Sequence, residues 1–482
     1  MELDPQLNIA PDSISSIHVM GICGTGMAAL GGMLQSLGFT ISGSDSGIYP
    51  PMSDFLAGLG IPVIGGYSGD NLSHRPDLVI VGNVITRKNP EAVALGESGL
   101  PYLSMPQALA HFFIRHKTSL VVAGTHGKTT TSSLLASALF HAGLDPSFMI
   151  GGIVREFGAN FRIGQGDHFI SEGDEYDTAF FDKGSKFLHY RPKIGIITSL
   201  EFDHADIFAD LDAIKSSFRR FISLFPDDGL IVAHLDDDNV AEVVEGAPCE
   251  VQGYGVSESN QWQLGVVGSE GGMSRFQVTH LDQSWGESTV QLPGQHNCLN
   301  SLAVIGVLHR LGLEREKINP GLSKFGGVKR RQEIRGIVGG VTVIDDFAHH
   351  PTAVRETLSA LKQAYPDQRL VCVFEPRTNS SRRSIFQQDY ISCFDGADLT
   401  LIREPVPLAS LPPEELFSSA QLAADLTGRG LDAESFSDTD QILKRLDRDV
   451  RNSDVVAILS NGGFDNIHQR LLDQLKQKPA NR

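Results

Sequence analysis

Twice along this chain of 482 residues, a short apolar run leads through a glycine-rich turn into a helix-like segment. The first such unit covers residues 17–37, and the second covers residues 119–142. A buried strand followed by a helix is the repeating element of parallel α/β sheets. Glycine lets the backbone approach a phosphate, and the helix N-terminus supplies N–H donors and a positive dipole end. The sequence therefore predicts an α/β fold with two places suited to phosphate groups.

The first turn has the spacing of a dinucleotide-binding motif. Gly24, Thr25, Gly26 and Met27 open a G-x-G-x-x-A pattern, and Asp45 follows about 20 residues later, at the end of the next strand-like run. This spacing leaves three interpretations open. The turn could bind a nicotinamide dinucleotide, bind another nucleotide diphosphate, or connect a strand and a helix without binding a ligand.

The second turn ends as a phosphate-binding loop ends. Its residues are Gly124, Thr125, His126, Gly127, Lys128, Thr129 and Thr130. The strict pattern G-x-x-x-x-G-K-[ST] requires a glycine where this chain has Val122, but the Gly-Lys-Thr ending is intact. Lys128 can reach the β- and γ-phosphates of a nucleotide, and the Thr129 hydroxyl can bind Mg²⁺. The alternative is a chance Gly-Lys-Thr at the start of a helix.

Acidic residues and a histidine follow two further strand-like runs of this second unit. Glu172 comes after residues 168–171, where a carboxylate at the end of a neighbouring strand could be a second Mg²⁺ ligand. A solvated acidic turn is the alternative. His204 follows a run that ends near residue 198 and could bind a metal, unless the adjacent aspartate simply caps a helix.

A third α/β unit begins near residue 329. Its predicted strands are residues 341–344, 370–374, 399–402 and 455–459. Asp345 ends the first of these strands and His349 follows it, so both could bind ribose or substrate; a turn with an N-cap is the alternative. Between the second and third units, residues 250–292 predict an antiparallel insertion, because short alternating runs there are separated by Gly and Ser.

Charge and cysteine content restrict the class of protein. The chain has 40 Lys and Arg against 58 Asp and Glu, a formal net charge of −18, which argues against a nucleic-acid partner. Its five cysteines lack C-x-x-C spacing, and no apolar run approaches the ~20 residues of a membrane span. With no signal-peptide pattern at the N-terminus, we expect a cytoplasmic protein with no membrane partner.

Four segments resemble the Mur ligase family, the bacterial ligases that form the amide bonds of cell-wall precursors. The segments, at residues 124–130, 292–300, 327–333 and 345–352, are GTHGKTT, LPGQHNCLN, GVKRRQE and DDFAHHPT. These four segments lie in the second and third units; with the segments at residues 42–52 and 82–87 described below, the resemblance spans all three units and nearly the whole chain. It implies a three-domain architecture: a Rossmann-like UDP-sugar-binding domain at 1–117, a P-loop-type ATP-binding domain at 118–328 and a Rossmann-like peptide-binding domain at 329–482.

The resemblance also implies roles for individual residues. It makes Lys128, Glu172, His204 and Arg330 catalytic, with Thr129, Glu172 and His204 around Mg²⁺. It assigns ATP to residues 124–130 together with Asn297, Asn300, Arg330 and Asp345, although Arg330 and Arg331 cannot be separated. It assigns the first glycine turn to the UDP diphosphate, which displaces the nicotinamide interpretation. The implied substrate-binding residues are Gly24, Thr25, Gly26, Met27, Ser44, Asp45, Asn83, His349, Arg377 and Arg382.

Within the family, the DDFAHHPT segment resembles the branch that acts on UDP-N-acetylmuramate. Segments at residues 42–52, 82–87, 174–183 and 374–380 resemble the recycling ligase that adds the tripeptide L-alanyl-γ-D-glutamyl-meso-diaminopimelate. The alternative is the biosynthetic ligase that adds L-alanine. A longer, anionic peptide needs cationic contacts, and Arg377, Arg382 and Arg383 share one loop after a strand; a solvated basic loop is the other interpretation.

Overall fold

The computed structural model describes residues 3–270, 272–409 and 411–477. The outermost residues of the expected first and third domains, 1–2 and 478–482, lie outside that range. The chain forms two compact units, each described by itself below. The first unit comprises Met1–Leu200, Asp212–Gly253 and Ala303–Gly321, and the second comprises Glu201–Leu211, Tyr254–Leu302 and Leu322–Arg482.

The first unit begins with a five-stranded parallel sheet. Its strands are β1 (Ser16–Met20), β2 (Thr40–Asp45), β3 (Val63–Gly65), β4 (Leu78–Val81) and β5 (Tyr102–Ser104). The helices between and after them are α1 (Thr25–Ser36), α2 (Met52–Gly58), α3 (Pro90–Ser98) and α4 (Met105–Leu109). The strand order is β3-β2-β1-β4-β5, so the order reverses between β1 and β4. Open parallel sheets bind ligands at this reversal, beyond the carboxyl ends of the strands.

A second sheet of the same unit carries the second glycine turn. Its strands in this unit are β6 (Thr118–Ala123), β7 (Ser147–Val154), β8 (Ala159–Arg162), β9 (His168–Gly173), β12 (Ile194–Ile197) and β13 (Leu230–His234), with the hairpin β10 (Asp177–Ala179) and β11 (Asp182–Ser185) beside them. The helices are α5 (Lys128–His141), α6 (Leu211–Ile222) and α7 (Asp238–Val244). The order is β13-β12-β6-β9-β7-β8, in which β6 pairs in parallel with β9 and β12. The sequence predicts that Glu172 follows the strand, but in the structure Glu172 lies inside β9.

The second unit contains the insertion predicted at residues 250–292. Strands β15 (Trp262–Glu270), β16 (Met273–His280) and β17 (Gln283–Val290) follow β14 (Glu250–Gly255) and form an antiparallel set. The antiparallel prediction is wrong at one point, because Tyr254 and Gly255 at the end of β14 pair with β15 in parallel. The chain then forms the helices α8 (Gln295–Arg310) and α9 (Arg315–Lys324).

The second unit ends with a six-stranded sheet. Its strands are β18 (Glu333–Val338), β19 (Val341–Asp346), β20 (Leu370–Phe374), β21 (Leu399–Arg403), β22 (Ala433–Phe436) and β23 (Val455–Leu459), in the order β18-β19-β23-β20-β21-β22. Its helices are α10 (Pro351–Ala364), α11 (Ser419–Gly428), α12 (Thr439–Asp449) and α13 (Ile467–Gln477). All neighbours are parallel except β18, and separate apolar clusters cover the two faces of the sheet. The predicted α/β class is therefore confirmed.

No helix in the described part of the chain combines the length and the apolar character needed to cross a bilayer.

Candidate functional site

The first glycine turn is fixed by the end of the neighbouring strand. The N–H groups of Gly21 and Ile22 donate to the carbonyl oxygen of Ser44 at 2.8 and 3.2 Å. The Cys23 N–H donates to the Asp45 carboxylate at 2.9 Å. Gly24 then caps α1 without a side-chain hydrogen bond, which leaves the first-turn N–H groups to be used by an anion.

The other predicted residues of this region take different positions. Thr25 is exposed, Gly26 is partly exposed and Met27 is buried at the start of α1. Asn83 is exposed in the turn after β4. The next residue, Val84, lies 3.4 Å from the position that a Cβ on Gly21 would take. The substrate contact expected for Ser44 is wrong for its side chain, because Ser44 is fully buried and its hydroxyl donates to Glu91 at 2.9 Å. Ser44 supports the turn from within the core.

The second glycine turn is a tight loop between β6 and α5. Gly124 has φ +136° and Gly127 has φ +80°, backbone conformations that residues with a Cβ rarely adopt. The Thr125 N–H donates to the Ser199 carbonyl at 2.9 Å, and the His126 N–H donates to the Ser199 hydroxyl at 3.0 Å. Ser199 thereby fixes two amides of the loop.

Lys128 lies under this turn and is surrounded by acceptors. Its Nζ donates to the Gly124 carbonyl at 2.5 Å and to the two Glu175 carboxylate oxygens at 2.8 and 3.1 Å. Burial alone would lower the pKa of Lys128, but Glu175, Asp174 and Glu172 together raise it above its ordinary value. Lys128 is therefore a fixed positive charge, as a phosphate-binding lysine must be.

Thr129 and Glu172 form an oxygen pair next to Lys128. The Thr129 hydroxyl donates to Glu172 Oε1 at 2.8 Å, and the Gly151 N–H donates to Glu172 Oε2. Thr130, one position further along α5, is buried. A hydroxyl and a carboxylate oxygen are donors that Mg²⁺ accepts while it keeps several waters, so the residues present fit this ion.

His204 belongs to the second unit, in a short loop with a strained backbone. Its φ is +57°, and its N–H donates to Asp203 Oδ1 at 2.7 Å. Burial would raise the pKa of Asp203, but the nearby His204, His349 and His350 hold it well below its usual range. His204 and His349, to which the sequence gave different roles, thus both lie close enough to Asp203 to lower its pKa. The other two residues predicted to bind Mg²⁺, Thr129 and Glu172, belong to the first unit.

The loop around His204 is held by its own unit at two further points. The Thr352 hydroxyl donates to both carboxylate oxygens of Glu201 at 2.8 and 3.0 Å. The Ala205 N–H donates to the Ser380 hydroxyl at 3.3 Å. Ser380 lies on the loop that follows β20, so this unit connects the His204 loop with the predicted peptide-binding loop.

Two pairs of residues assigned to the nucleotide lie in the second unit, Asn297 with Asn300 and Arg330 with Asp345. Asn297 and Asn300 are buried one turn apart on α8, and the Asn300 amide donates to the Asn297 side-chain oxygen at 3.4 Å. Arg330 Nε lies 3.5 Å from Asp345, and its Nη2 donates to the carbonyls of Ser460 and Gly462, each at 2.6 Å. Arg330 and Asp345, both assigned to the nucleotide, therefore contact each other.

Arg331 packs against the same aromatic ring, Phe347, as Arg330. Its guanidinium carbon is 4.7 Å from the centre of the Phe347 ring, and that of Arg330 is 5.2 Å from it. Burial raises the pKa of Asp346, while the charge of Arg331 opposes that rise. The two arginines are thus distinguished by their acidic neighbours, Asp345 for one and Asp346 for the other.

The arginines of the predicted peptide loop follow β20. Arg377 is exposed, with its guanidinium against Gly462. Arg382 donates to Asn379 at 3.1 Å and to the Val406 carbonyl at 3.3 Å. Arg382 also lines a cavity of about 220 Å³ together with Glu404, Pro405, Pro407, Pro413, Leu416, Phe417 and Ser418. This cavity presents one positive and one negative side chain.

Glu175, Ser199 and Gly151 are the supporting residues that the sequence did not identify. Glu175 lies in the acidic run 172–177, but nothing in its spacing indicates that it pairs with Lys128. Ser199 and Gly151 are brought to the turn by strands that are distant in sequence. For Glu175 and Ser199 the available signal is that each follows a strand paired with β6, whereas Gly151 lies inside β7 and carries no such signal.

Family models match most of the chain. The model described as "Mur ligase family, catalytic domain" matches residues 16–117, "Mur ligase middle domain" matches 122–308, and "Mur ligase, glutamate ligase domain" matches 330–462.

Whole proteins and solved structures are similar over nearly their full length. The UDP-N-acetylmuramate–L-alanyl-γ-D-glutamyl-meso-2,6-diaminoheptandioate ligase of Escherichia coli K12 is 38% identical, over 96% of this chain and 98% of that protein. The UDP-N-acetylmuramate–L-alanine ligase of Geotalea daltonii is 33% identical, over 97% and 99%. The crystal structure of a murein peptide ligase from Psychrobacter arcticus 273-4 has a TM-score of 0.71 and 34% identity, over 97% of this chain and 100% of that one. This chain belongs to the Mur ligase family.

Proposed function

We propose that this protein is an ATP-dependent ligase that joins L-alanyl-γ-D-glutamyl-meso-diaminopimelate to UDP-N-acetylmuramate through a new amide bond. The observation that carries the proposal is the second glycine turn, where Lys128, Thr129 and Glu172 lie together in an arrangement suited to a nucleotide phosphate and a divalent cation. The greater similarity to the tripeptide ligase of E. coli than to the L-alanine ligase supports the choice of amine substrate. Such a reaction belongs to peptidoglycan recycling.

The proposed reaction has two chemical steps. The lactyl carboxylate of UDP-N-acetylmuramate attacks the γ-phosphorus of ATP, which forms an acyl phosphate and releases ADP. The α-amine of the tripeptide then attacks the acyl carbon, loses a proton, and the tetrahedral intermediate expels phosphate to leave the amide. Neither step needs a covalent nucleophile from the protein, so its work is alignment and charge stabilisation.

The residues of this chain supply that alignment. We assign the phosphates of ATP to Lys128 and the N–H groups of the turn, in keeping with the raised pKa of the lysine. Thr129 and Glu172 would hold Mg²⁺, which neutralises phosphate charge when bound. His204 and Arg330 keep their proposed catalytic roles, and Asn297, Asn300 and Asp345 their roles toward the nucleotide.

The substrates are assigned to the two outer parts of the chain. We assign the UDP diphosphate to the first glycine turn, where Gly24 opens α1 without a side-chain cap. The peptide is assigned to the region of His349, Arg377 and Arg382. The cavity that contains Arg382 and Glu404 supports this choice, because the free end of meso-diaminopimelate carries both a carboxylate and an ammonium group.

The domain boundaries at residues 117 and 328 remain part of the proposal, with one task for each domain. We also propose a cytoplasmic location. The five cysteines support it, because all of them are free thiols, as expected in a reducing compartment.

An ADP-release assay with each substrate omitted in turn tests the proposed function. We expect steady-state release over many turnovers only when ATP, UDP-N-acetylmuramate and the tripeptide are all present. Lys128→Ala should lower the rate by about 100-fold or more while UDP-N-acetylmuramate binding by calorimetry is retained. Lys362→Ala, which removes the pair between α10 and Asp398, is the matched control and should keep the activity. Rapid ADP release without the UDP-sugar, or normal turnover by the Lys128 variant, would contradict the proposal.

A further inference from the structure

A buried polar cluster lies beneath the first glycine turn. Its members are His18, Ser44, Asn71 and Glu91, and three of them, His18, Ser44 and Glu91, have no exposed surface. His18 Nε2 is 2.8 Å from Glu91 Oε1, and the Ser44 hydroxyl donates to the same oxygen at 2.9 Å. The Asn71 amide donates to Glu91 Oε2 at 2.8 Å. The proposed reaction uses none of these side chains, although burying them is costly unless every hydrogen bond is made.

The Glu91 carboxylate is itself fixed in space. Glu91 lies in the first turn of α3, where its N–H donates to the side-chain oxygen of the N-cap residue Asn89 at 2.9 Å. Both carboxylate oxygens accept hydrogen bonds, one from Asn71 and the other from Ser44. The amide nitrogen of Asn71 can only donate, so the cluster requires an acceptor at Oε2 of residue 91, and the Ser44 hydroxyl as placed donates to Oε1.

Two routes connect Glu91 to the residues that hold the glycine turn. The first passes through Ser44, whose hydroxyl binds Glu91 and whose carbonyl accepts the N–H groups of Gly21 and Ile22. The second passes through Asn71, which also donates to the Gly66 carbonyl at 3.1 Å. The Gly66 N–H in turn donates to the carbonyl of Asp45 at 2.8 Å, and the carboxylate of Asp45 accepts the Cys23 N–H.

We propose that Glu91 is a positioning residue for the UDP-sugar substrate: its buried carboxylate fixes Ser44 and Asn71 and, through them, the phosphate-binding turn at residues 21–26. This inference rests on the proposed function, because it takes the first glycine turn as the UDP-sugar site. Glu91 does not contact the substrate in this account. It sets the position of the backbone N–H groups that do.

Glu91→Gln tests this role with a nearly isosteric change. The new NH₂ group faces either Asn71, whose amide nitrogen can only donate, or the Ser44 hydroxyl, which must then accept instead of donating, so at least one present hydrogen bond to residue 91 is lost or reversed. We expect the KM for UDP-N-acetylmuramate to rise about tenfold or more while the KM for ATP stays within about twofold of wild type. Amide hydrogen exchange of Gly21, Ile22 and Cys23 should become faster. Ser44→Ala, which removes one hydroxyl only, should show a smaller change in the same direction.

Glu156→Gln is the matched control. Glu156 also pairs with a histidine, His141, at 2.7 Å and accepts the hydroxyl hydrogen of Ser137 at 2.7 Å, but both partners lie in the C-terminal half of α5 and not beneath the first glycine turn. Glu156→Gln should leave the KM for UDP-N-acetylmuramate, the KM for ATP and the amide hydrogen exchange of the first glycine turn unchanged.

The outcomes separate the two claims. If wild type binds UDP-N-acetylmuramate and Glu91→Gln and Ser44→Ala leave its KM and the exchange of the turn unchanged, the positioning role is wrong and the proposed function stands. If the KM values for UDP-N-acetylmuramate and ATP rise equally in both variants, Glu91 has a general structural role and the inference is wrong. If wild type does not bind UDP-N-acetylmuramate, the proposed function and the inference fail together.

Discussion

Lys128 lies among three carboxylates, with Lys186 as a second positive charge beside Asp174. Asp174, Glu175 and Glu172 all act on Lys128, and they keep it charged against the effect of burial. Burial alone would raise the pKa of Asp174, but Lys186 and Lys128 hold it well below its usual range. Three carboxylates would repel the phosphates of ATP, so a bound divalent cation at Thr129 and Glu172 would offset that repulsion. The composition of the site thus gives a physical reason for the proposed Mg²⁺.

His296 should make the stability of the protein depend on pH. Burial lowers its pKa from 6.5 to about 4, and its Nδ1 has no hydrogen-bond partner among the described residues. The unfolded chain therefore binds a proton at His296 between pH 6.5 and about 4 that the folded chain does not, so this contribution to stability is complete above pH 6.5 and is lost as the pH falls toward 4.

We predict that His296→Gln makes the free energy of unfolding less sensitive to this pH change, by roughly 1–3 kcal/mol. Denaturant unfolding at several pH values measures it. The exposed His116 provides the control, and His116→Gln should keep the wild-type dependence. Equal pH dependence in wild type and His296→Gln would show that His296 does not cause the effect.

At the scale of elements, the strand–turn–helix units could be predicted from the sequence because their signals are local. Apolar runs such as β6 and β20 and the glycines of the two turns identify themselves within a few residues. The supporting contacts are different, because residues 75 positions apart or more must meet: Thr198 reaches the Ala123 carbonyl, and Thr352 reaches Glu201.

The wrong predictions also have non-local causes. Ser44 is adjacent to Asp45 and looked equally available, but α3 brings Glu91 onto its hydroxyl, and this could not be known before the fold. The end of β14 pairs with β15 in parallel because of how the connecting loop returns, which alternation of side chains does not encode. The sequence therefore predicted the two turns better than the residues that support them.

The second turn should tolerate no side chain at Gly124. A Cβ there would overlap the Thr198 hydroxyl and the Ser199 backbone, and its φ of +136° is unfavourable for alanine. We predict that Gly124→Ala raises the KM for ATP about tenfold or more, because the loop amides must shift. Kinetics at varied ATP and calorimetry with a non-hydrolysable analogue measure the effect.

Gly58→Ala is the control, because Gly58 ends α2 with open space around it and should change stability by less than about 1 kcal/mol. Wild-type ATP kinetics in Gly124→Ala would contradict the described geometry of the turn.

At the scale of the whole molecule, the net charge of −18 has the same sign as every proposed substrate. ATP, UDP-N-acetylmuramate and the tripeptide are all anionic, so the account depends on local donors: two glycine turns, Lys128 and a few arginines. The residues with proposed roles are distributed over both compact units, the glycine turns in the first and His204, Arg330 and Arg382 in the second. The function is thus a property of the full chain.

Competition between the two amine substrates tests the central claim most directly. The full chain is incubated with ATP, Mg²⁺, UDP-N-acetylmuramate and equal concentrations of L-alanine and L-alanyl-γ-D-glutamyl-meso-diaminopimelate, and the initial rates of the two products are measured by mass spectrometry. The account predicts that the tripeptide product forms faster by about tenfold or more, with one ADP released for each amide. Preferential formation of the L-alanine product would contradict the proposed substrate, and the absence of both products would contradict the proposed ligase activity.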